Sequence, residues 1–357
     1  MRTLVAIVIL AICERSIAQA PPSFPFWPED RVAWVGSSST RIGVWPKTVE
    51  FLLRTRHPEL RLTFSRHSTG GGTFATGLEN LTLWLDQSQP TVVLFNYGSN
   101  DAAAGDTGID RFHANVEACV AKAQDRWARV LFTSPQAADT RKSGIEAATR
   151  RERYANDLLA FGRSKGWTVY DVFHPLSTLQ AAGRADDDGY TILKDTIHLT
   201  DPAYIAWGYF LYERFNPPSC DCHAEVTADG RITAMTRCKL TDVSATDGVL
   251  RFTRHDEILP LVPPVPLPPR RHVPLERLSP YRLTVKGLQA GRYTVTCDGK
   301  LVGEVHSDAL AVGVNLNTLA LDANLSPPWH TLATRLWDGK DIDQVGKTAL
   351  AFEIRRK

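Results

Sequence analysis

The feature that most constrains the fold is the run Thr91-Val-Val-Leu-Phe-Asn-Tyr97, which ends in Gly98-Ser-Asn-Asp101. The run has strand length, and its apolar side chains fall on both alternating faces, so both faces need cover. Parallel sheets held between helices provide it, and the flanking sequence supplies the helices. Upstream, Phe74, Leu78, Leu81 and Leu85 recur at helical spacing; downstream, Ile109, Phe112, Val116, Val120 and Ala123 do the same. The alternation repeats along the chain. Val32 to Val35 is a short buried-strand run, followed by a helix over 47–57 with Val49, Leu52 and Leu53 inward. A strand is expected over 60–64 and a loop over 65–72. Beyond the central run come a strand over 129–133, a helix over 145–165 with Tyr154, Leu158 and Phe161 inward, and a strand over 167–173. An irregular Asp/Gly-rich loop then leads to a closing helix over 202–215. Strands alternating with helices imply an α/β fold with a five-stranded parallel sheet and right-handed crossovers.

A chain of 357 residues suits two domains. The texture changes after Asn216-Pro-Pro-Ser219: short alternating strands turn at Asp229-Gly230 and Asp247-Gly248, and again around Gly287, Gly291 and Asp298-Gly299. A proline-rich stretch, 259–269, reads as a loop packed along a surface, and 328–336 as a short helix. The expected division is a leader at 1–20, an α/β domain at 21–217 and a smaller β-rich accessory domain at 218–357. The leader reading rests on Arg2, the apolar run Leu4 to Ile12 and Ala18-Gln-Ala20, the pattern of a secretory signal. That run is too short to span a bilayer, so no integral membrane segment is expected after its removal, and the protein is expected to be secreted or periplasmic. A net charge of +2 without a long basic run gives no case for a nucleic-acid partner.

Beyond the leader the cysteines are Cys119, Cys220, Cys222, Cys238 and Cys297. Export permits disulfides, and four of the five lie after residue 218, so a bridge is expected there with its pairing open. Cys119 falls on the apolar face of a helix and reads as a buried thiol. Cys220-Asp-Cys222-His223 has no second pair at ligand spacing; neither a metal nor a cofactor is expected.

Ligands in open α/β sheets collect at the carboxyl edge of the strands. The first strand ends there in Gly36-Ser-Ser-Ser-Thr40, and Ser38 is the candidate nucleophile. A serine nucleophile needs a base. His198 sits just before the last helix of the domain, and Asp195, three residues earlier, can turn back to orient its imidazole. An oxyanion needs donors. Asn100 offers a side-chain amide after the central strand, and the glycines 70–72 offer unobstructed backbone N–H groups. Four loops at one edge each carry a group that acyl transfer needs.

In this order, Ser, Gly, Asn and His, the chain resembles the SGNH/GDSL hydrolase superfamily over residues 31–215. The superfamily's G-D-S-x-T block aligns with Gly36-Ser37-Ser38-Ser39-Thr40, and its S-G-D-T block with Gly70-Gly71-Gly72-Thr73. G-x-N-D is intact at Gly98 to Asp101, and D-x-x-H at Asp195 to His198. The resemblance implies a three-layer α/β/α sandwich of flavodoxin-like type and metal-free ester hydrolysis. It makes Ser38, Asp195 and His198 the catalytic residues, and the N–H groups of Ser38 and Gly71 with the Asn100 amide the oxyanion hole. Two positions depart from the pattern. Ser37 replaces an aspartate that shapes the first turn, which leaves Ser37 and Ser39 as rival registers, and Gly72 replaces a second aspartate, which implies a wider loop. Tyr281-Arg-Leu-Thr-Val-Lys-Gly287, Ala290-Gly-Arg-Tyr293 and Gly313-Val-Asn-Leu316 resemble the tail of long bacterial members. The expected substrate is a small-molecule or polysaccharide ester, with O-acetyl groups on carbohydrate as the specific expectation. Two rival readings are a catalytically decayed binding protein on the same fold, and a phosphate binder cradling its ligand at 36–40. The latter leaves Asn100 and the Asp195/His198 pair without a role.

Overall fold

The structure is a computed structural model that describes residues 23–357 except 268, 270, 271 and 341–345. The leader reading at 1–20 lies outside the described residues. Five strands, β1 (Arg31–Gly36), β2 (Thr63–Ser68), β3 (Val92–Asn96), β4 (Arg129–Thr133) and β5 (Thr168–Tyr170), pair in parallel in the order β2-β1-β3-β4-β5. Around them lie α1 (Ser38–Ile42), α2 (Val44–Arg56), α3 (Phe74–Ser88), α4 (Ile109–Gln124), α5 (Thr140–Ser143), α6 (Ile145–Ser164), α7 (Phe173–Asp186) and α8 (Asp201–Arg214). The period-two alternation of the strands divides their side chains between two cores. Ala33, Val35, Val93 and Phe95 pack with Phe74, Leu81, Phe112, Val116 and Leu158 on one face. Val32, Trp34, Val92 and Leu94 pack on the other with Trp45, Leu52, Leu176 and Trp207. This is the three-layer α/β/α sandwich. Its strand order reverses between β1 and β3, and ligand sites of such sheets lie at that reversal.

Two elements differ from expectation. The second strand is not at 60–64: Pro58–Leu60 forms a 3-10 turn, and the strand runs Thr63–Ser68 through residues expected to be a loop. Leu60 and Leu62 go into the core, and the strand takes the register Arg31↔Thr63 to Gly36↔Ser68. As an edge strand with largely polar, half-buried residues, it carries little apolar signal. The fifth strand is only Thr168–Tyr170, and Phe173–Asp186, expected to continue the strand and then loop, is α7. Ser134 Oγ accepts from the N–H groups of Val172 and Phe173, at 3.0 and 3.1 Å, which ends the strand and starts the helix. Phe173, Leu176 and Leu179 then face inward at helical spacing.

The rest of the chain builds two further sheets. β6 (Cys222–Thr227), β7 (Ile232–Thr236), β10 (Tyr281–Lys286) and β13 (Val314–Asn315) form one in the order β13-β10-β6-β7. β8 (Cys238–Thr246), β9 (Val249–Asp256), β11 (Arg292–Cys297), β12 (Lys300–His306) and β14 (Thr348–Arg356) form the other, β12-β11-β14-β9-β8. Helices α9 (Leu275–Leu278), α10 (Ser307–Val312), α11 (Leu316–Asp322) and α12 (Pro328–Trp337) accompany them. Asp247-Gly248 and Asp298-Gly299 turn their hairpins with both residues at positive φ, as two-residue turns require. This region shares a core with the helices beneath it. Phe51 of α2 meets Trp337 of α12 edge-on at 5.4 Å, and the buried Arg56 guanidinium donates to the carbonyls of Leu259 and Leu278. Among the described residues, no helix is long and apolar enough to cross a membrane.

Candidate active site

The carboxyl ends of β1, β2 and β3 meet because Gly36 lets them. A Cβ at Gly36 would lie 2.2 Å from Thr40 Oγ1 and 2.7 Å from the Asn96 carbonyl oxygen. With glycine there, Ser37 N donates to Asn96 O at 3.3 Å and Thr69 N to Gly36 O at 3.2 Å. Thr40, fully buried, donates to Asn96 Oδ1 at 3.2 Å, and Asn96 Nδ2 donates to Thr133 Oγ1 at 2.9 Å. The turn after β1 is therefore tied across to β3 and β4.

Within that turn the three serines take different directions. Ser39 is buried and its hydroxyl donates to Gln136 Oε1 at 2.7 Å. Ser37 is buried at the start of α1 and makes no side-chain cap bond. The Ser38 hydroxyl lies 3.0 Å from His198 Nε2. On the other side of the ring, His198 Nδ1 is 2.8 Å from Asp195 Oδ2. Asp195 Oδ1 accepts from the N–H groups of Ile197 at 2.8 Å and His198 at 2.7 Å, the local geometry by which aspartate fixes a turn. Desolvation raises the Asp195 pKa, but these two backbone bonds and the bond and charge of His198 outweigh it, and the pKa falls to about 2. Asp195 stays ionised beside the imidazole, as an orienting carboxylate must.

The loop that presents His198 is braced on several sides. Lys194 N donates to His198 O at 2.8 Å, Leu193 bridges Leu199, and Thr200 caps α8 directly after it. Three side chains hold its underside: Gln136 Nε2 on Ile197 O, with Ser143 Oγ at 2.7 Å and Arg151 Nη2 at 3.0 Å on Thr196 O. Gln136 thus touches both the serine turn and the histidine loop. It is a positioning residue absent from the sequence reading, and its only signal there is its place just beyond the fourth strand, at the same sheet edge.

The remaining two loops meet each other. Asn100 Nδ2 donates to Gly72 O at 2.9 Å, which leaves the second amide hydrogen free of that bond. Gly71 takes φ +69° within a turn closed by Gly72 N on Thr69 O at 3.0 Å. Among the described residues, no backbone acceptor outside regular elements engages the N–H of Ser38 or of Gly71. A Cβ at Gly72 would sit 2.9 Å from Thr69 O and 3.4 Å from Tyr97. Asp101 clamps the same region from below, Oδ1 accepting from Phe74 N at 3.0 Å and Oδ2 from Gly98 N at 2.9 Å. Burial pushes its carboxyl pKa up against the pull of those N–H groups. Ser38, Asp195 and His198 are therefore in one hydrogen-bonded chain, and Asn100 is bonded to the glycine loop. This arrangement can relay a proton from a hydroxyl and offers uncommitted N–H donors at one sheet edge.

Residues 35–205 match the model of the GDSL-like lipase/acylhydrolase family. Among solved structures, a gut microbial diltiazem-metabolizing enzyme superposes with a TM-score of 0.73 at 17% identity, over 88% of this chain and 77% of that one. That is a likeness of fold, and it extends over both the α/β and the β-rich parts. An acetyl xylan esterase aligns with a TM-score of 0.45 at 18% identity, over 51% of this chain and 98% of its own. A lipase/acylhydrolase from Enterococcus faecalis aligns at 0.43 and 16%, over 52% and 94%. No curated protein sequence matches the chain significantly.

Proposed function

Because residues 35–205 match the GDSL-like lipase/acylhydrolase family model, we propose that the protein is a serine esterase whose acyl group is carried by Ser38. The observation that carries this reading is the unbroken chain Ser38 Oγ, His198 Nε2, His198 Nδ1, Asp195 Oδ2, at 3.0 and 2.8 Å. Ser38 Oγ attacks the ester carbonyl as its proton passes to His198 Nε2, and ionised Asp195 stabilises the imidazolium. The carbonyl oxygen becomes an oxyanion held by Ser38 N–H, Gly71 N–H and the free Asn100 amide hydrogen. Collapse of the tetrahedral species expels the alcohol, which takes the proton from His198. Water, deprotonated by the same imidazole, then attacks the acyl-serine and releases the acid. Ser38 opens α1 directly after β1, and Gly71, Asn100 and the Asp195/His198 pair come from the loops after β2, after β3 and before α8.

The substrate is a short acyl ester, with acetyl groups on an extracellular carbohydrate as the specific class. Support comes from the leader-like residues 1–20 and the β-rich region appended to the hydrolase fold. The same leader-like residues support export to a periplasm or outside the cell. The test compares wild type with Ser38→Ala on 4-nitrophenyl acetate, then on acetylated xylan and acetylated chitin oligomers. Hydrolysis by wild type that the variant loses supports the esterase. Equal background rates in both overturn it in favour of a non-catalytic binding protein on this fold. Activity on the small ester with none on either carbohydrate overturns the carbohydrate assignment alone.

A further inference from the structure

The β-rich region holds a cluster that ester hydrolysis does not use. The sulfurs of Cys222 and Cys238 and a carboxylate oxygen of Asp256 lie within 4.8 Å of one another, all buried. The two cysteines belong to different sheets: Cys222 opens β6 in the four-stranded sheet, and Cys238 opens β8 in the five-stranded one. Between them the β6–β7 hairpin ends at Thr236, and Arg237, at φ 49°, turns the chain into the second sheet. That turn makes the two thiols converge. Cys222 Sγ donates to Arg237 O at 3.3 Å, and Cys238 Sγ donates to His223 O at 3.1 Å. Each sulfur, a free thiol in this structure, therefore rests against the backbone beside the other cysteine.

The same donors suggest a metal, but the slot is taken. Arg254, with no exposed surface, places Nη2 3.2 Å from Cys222 Sγ and donates from Nε to Asp256 Oδ1 at 2.7 Å. Tyr281 donates to the other oxygen, Oδ2, at 2.6 Å. A divalent cation on these ligands would face a guanidinium held against two of them. A sulfur–sulfur bond meets no such conflict. It removes the S–H contacts of Cys222 with Arg237 O and Asp256 and of Cys238 with His223 O, and Asp256 keeps both Arg254 and Tyr281.

We infer that Cys222 and Cys238 form a disulfide that staples the two β-sheets of the C-terminal region to each other. The oxidant is a disulfide-bearing protein or small molecule. Cys238 thiolate attacks one of its sulfurs and expels a thiolate, and Cys222 thiolate then attacks the Cys238 sulfur of the mixed disulfide and expels the second. Two cysteine protons and two electrons leave the chain, and the oxidant departs as two thiols. Since both sulfurs are buried in the fold, the bond closes before β8 docks. Cys220 points elsewhere, toward the carbonyls of Pro218 and Arg56.

The experiment maps the full-length chain exported to an oxidising compartment, denatured and alkylated without reduction, then digested for mass spectrometry. The expected result is a cross-linked peptide pair through Cys222 and Cys238, with Cys119, Cys220 and Cys297 alkylated. Dithiothreitol should lower the melting temperature of wild type by roughly 4 °C, from the closure of a short loop in a chain of this size. It should leave a Cys222→Ala/Cys238→Ala variant unmoved. Alkylation of both cysteines without reduction, or a link from either to Cys220, overturns the inference. So does stoichiometric zinc released together with two free thiols. The mapping uses wild type, so it decides the matter even if the variant fails to fold.

Discussion

At the scale of single residues, the site turns on which of three adjacent hydroxyls meets the imidazole. Ser37, Ser38 and Ser39 are equivalent as letters, and the choice is made by what each neighbour offers: Gln136 takes Ser39, and His198 faces Ser38. The Gly36 to Thr40 spacing is legible in the sequence and has a plain cause, the close approach of Thr40 and Asn96 to a residue without a Cβ. The Asp195 and His198 spacing is legible for the same kind of reason, since three residues let a carboxylate reach both backbone and ring. What the sequence conceals is Gln136, whose role depends on two loops meeting in space. Asn100 carries the first prediction. Asn100→Ala removes one oxyanion donor and should lower kcat by about 100- to 1000-fold with KM little changed, read from saturation kinetics on 4-nitrophenyl acetate. An unchanged kcat would remove Asn100 from the oxyanion hole.

At the scale of elements, the strands covered on both faces are legible and the exposed edge is not. β3 announces itself because all its residues are buried. β2 is hidden because Thr63-Phe-Ser-Arg-His-Ser68 is half-exposed, and pairing with β1 rather than hydrophobicity places it. α7 is hidden behind the Asp/Gly-rich sequence that follows it, although Phe173, Leu176 and Leu179 mark its inner face. The histidine loop is an element whose position is set by its braces. Gln136→Leu keeps the volume but removes the bonds to Ser39 and Ile197 O. Because a displacement of about 1 Å in a reacting group can cost 100-fold, kcat should fall by roughly 10- to 100-fold. The melting temperature should move by only a few degrees. A loss of activity that merely tracks unfolding would show that Gln136 is structural alone.

At the scale of the whole molecule, the division near residue 217 that the sequence suggests does not divide the core. One buried cluster runs from Val32 and Trp45 through Trp207 to Leu283, Trp329 and Phe352. α8 is buried nearly all round, from Ala203 to Tyr212, as a helix between two packed layers must be. A chain ending at residue 217 should therefore aggregate, with no monomer peak on size exclusion; a soluble, active monomer would show that the α/β part stands alone. The shared core also predicts a response to acid. Burial between α2 and α8 lowers the pKa of His57, whose Nε2 meets Tyr212 Oη at 2.8 Å, from 6.5 to about 4. Burial lowers His330 to about 4 as well. Between those values the unfolded chain binds the extra proton, so stability falls as pH drops below 6.5. For His57 the loss by pH 5 is on the order of 2 kcal/mol, from 1.5 pH units at about 1.4 kcal/mol each. Urea unfolding at pH 7 and pH 5 should show it, and His57→Phe should shrink the difference; an identical pH dependence in the variant would exclude His57 as its source.

Covalent capture decides whether Ser38 is the nucleophile. A fluorophosphonate, which phosphonylates a serine activated by an adjacent base, is incubated with wild type and with His198→Ala, and the labelled peptide is sequenced by mass spectrometry. Stoichiometric label is expected on Ser38 in wild type and almost none in the variant. Label on Ser37 or Ser39, or equal slow labelling of both proteins, would contradict it.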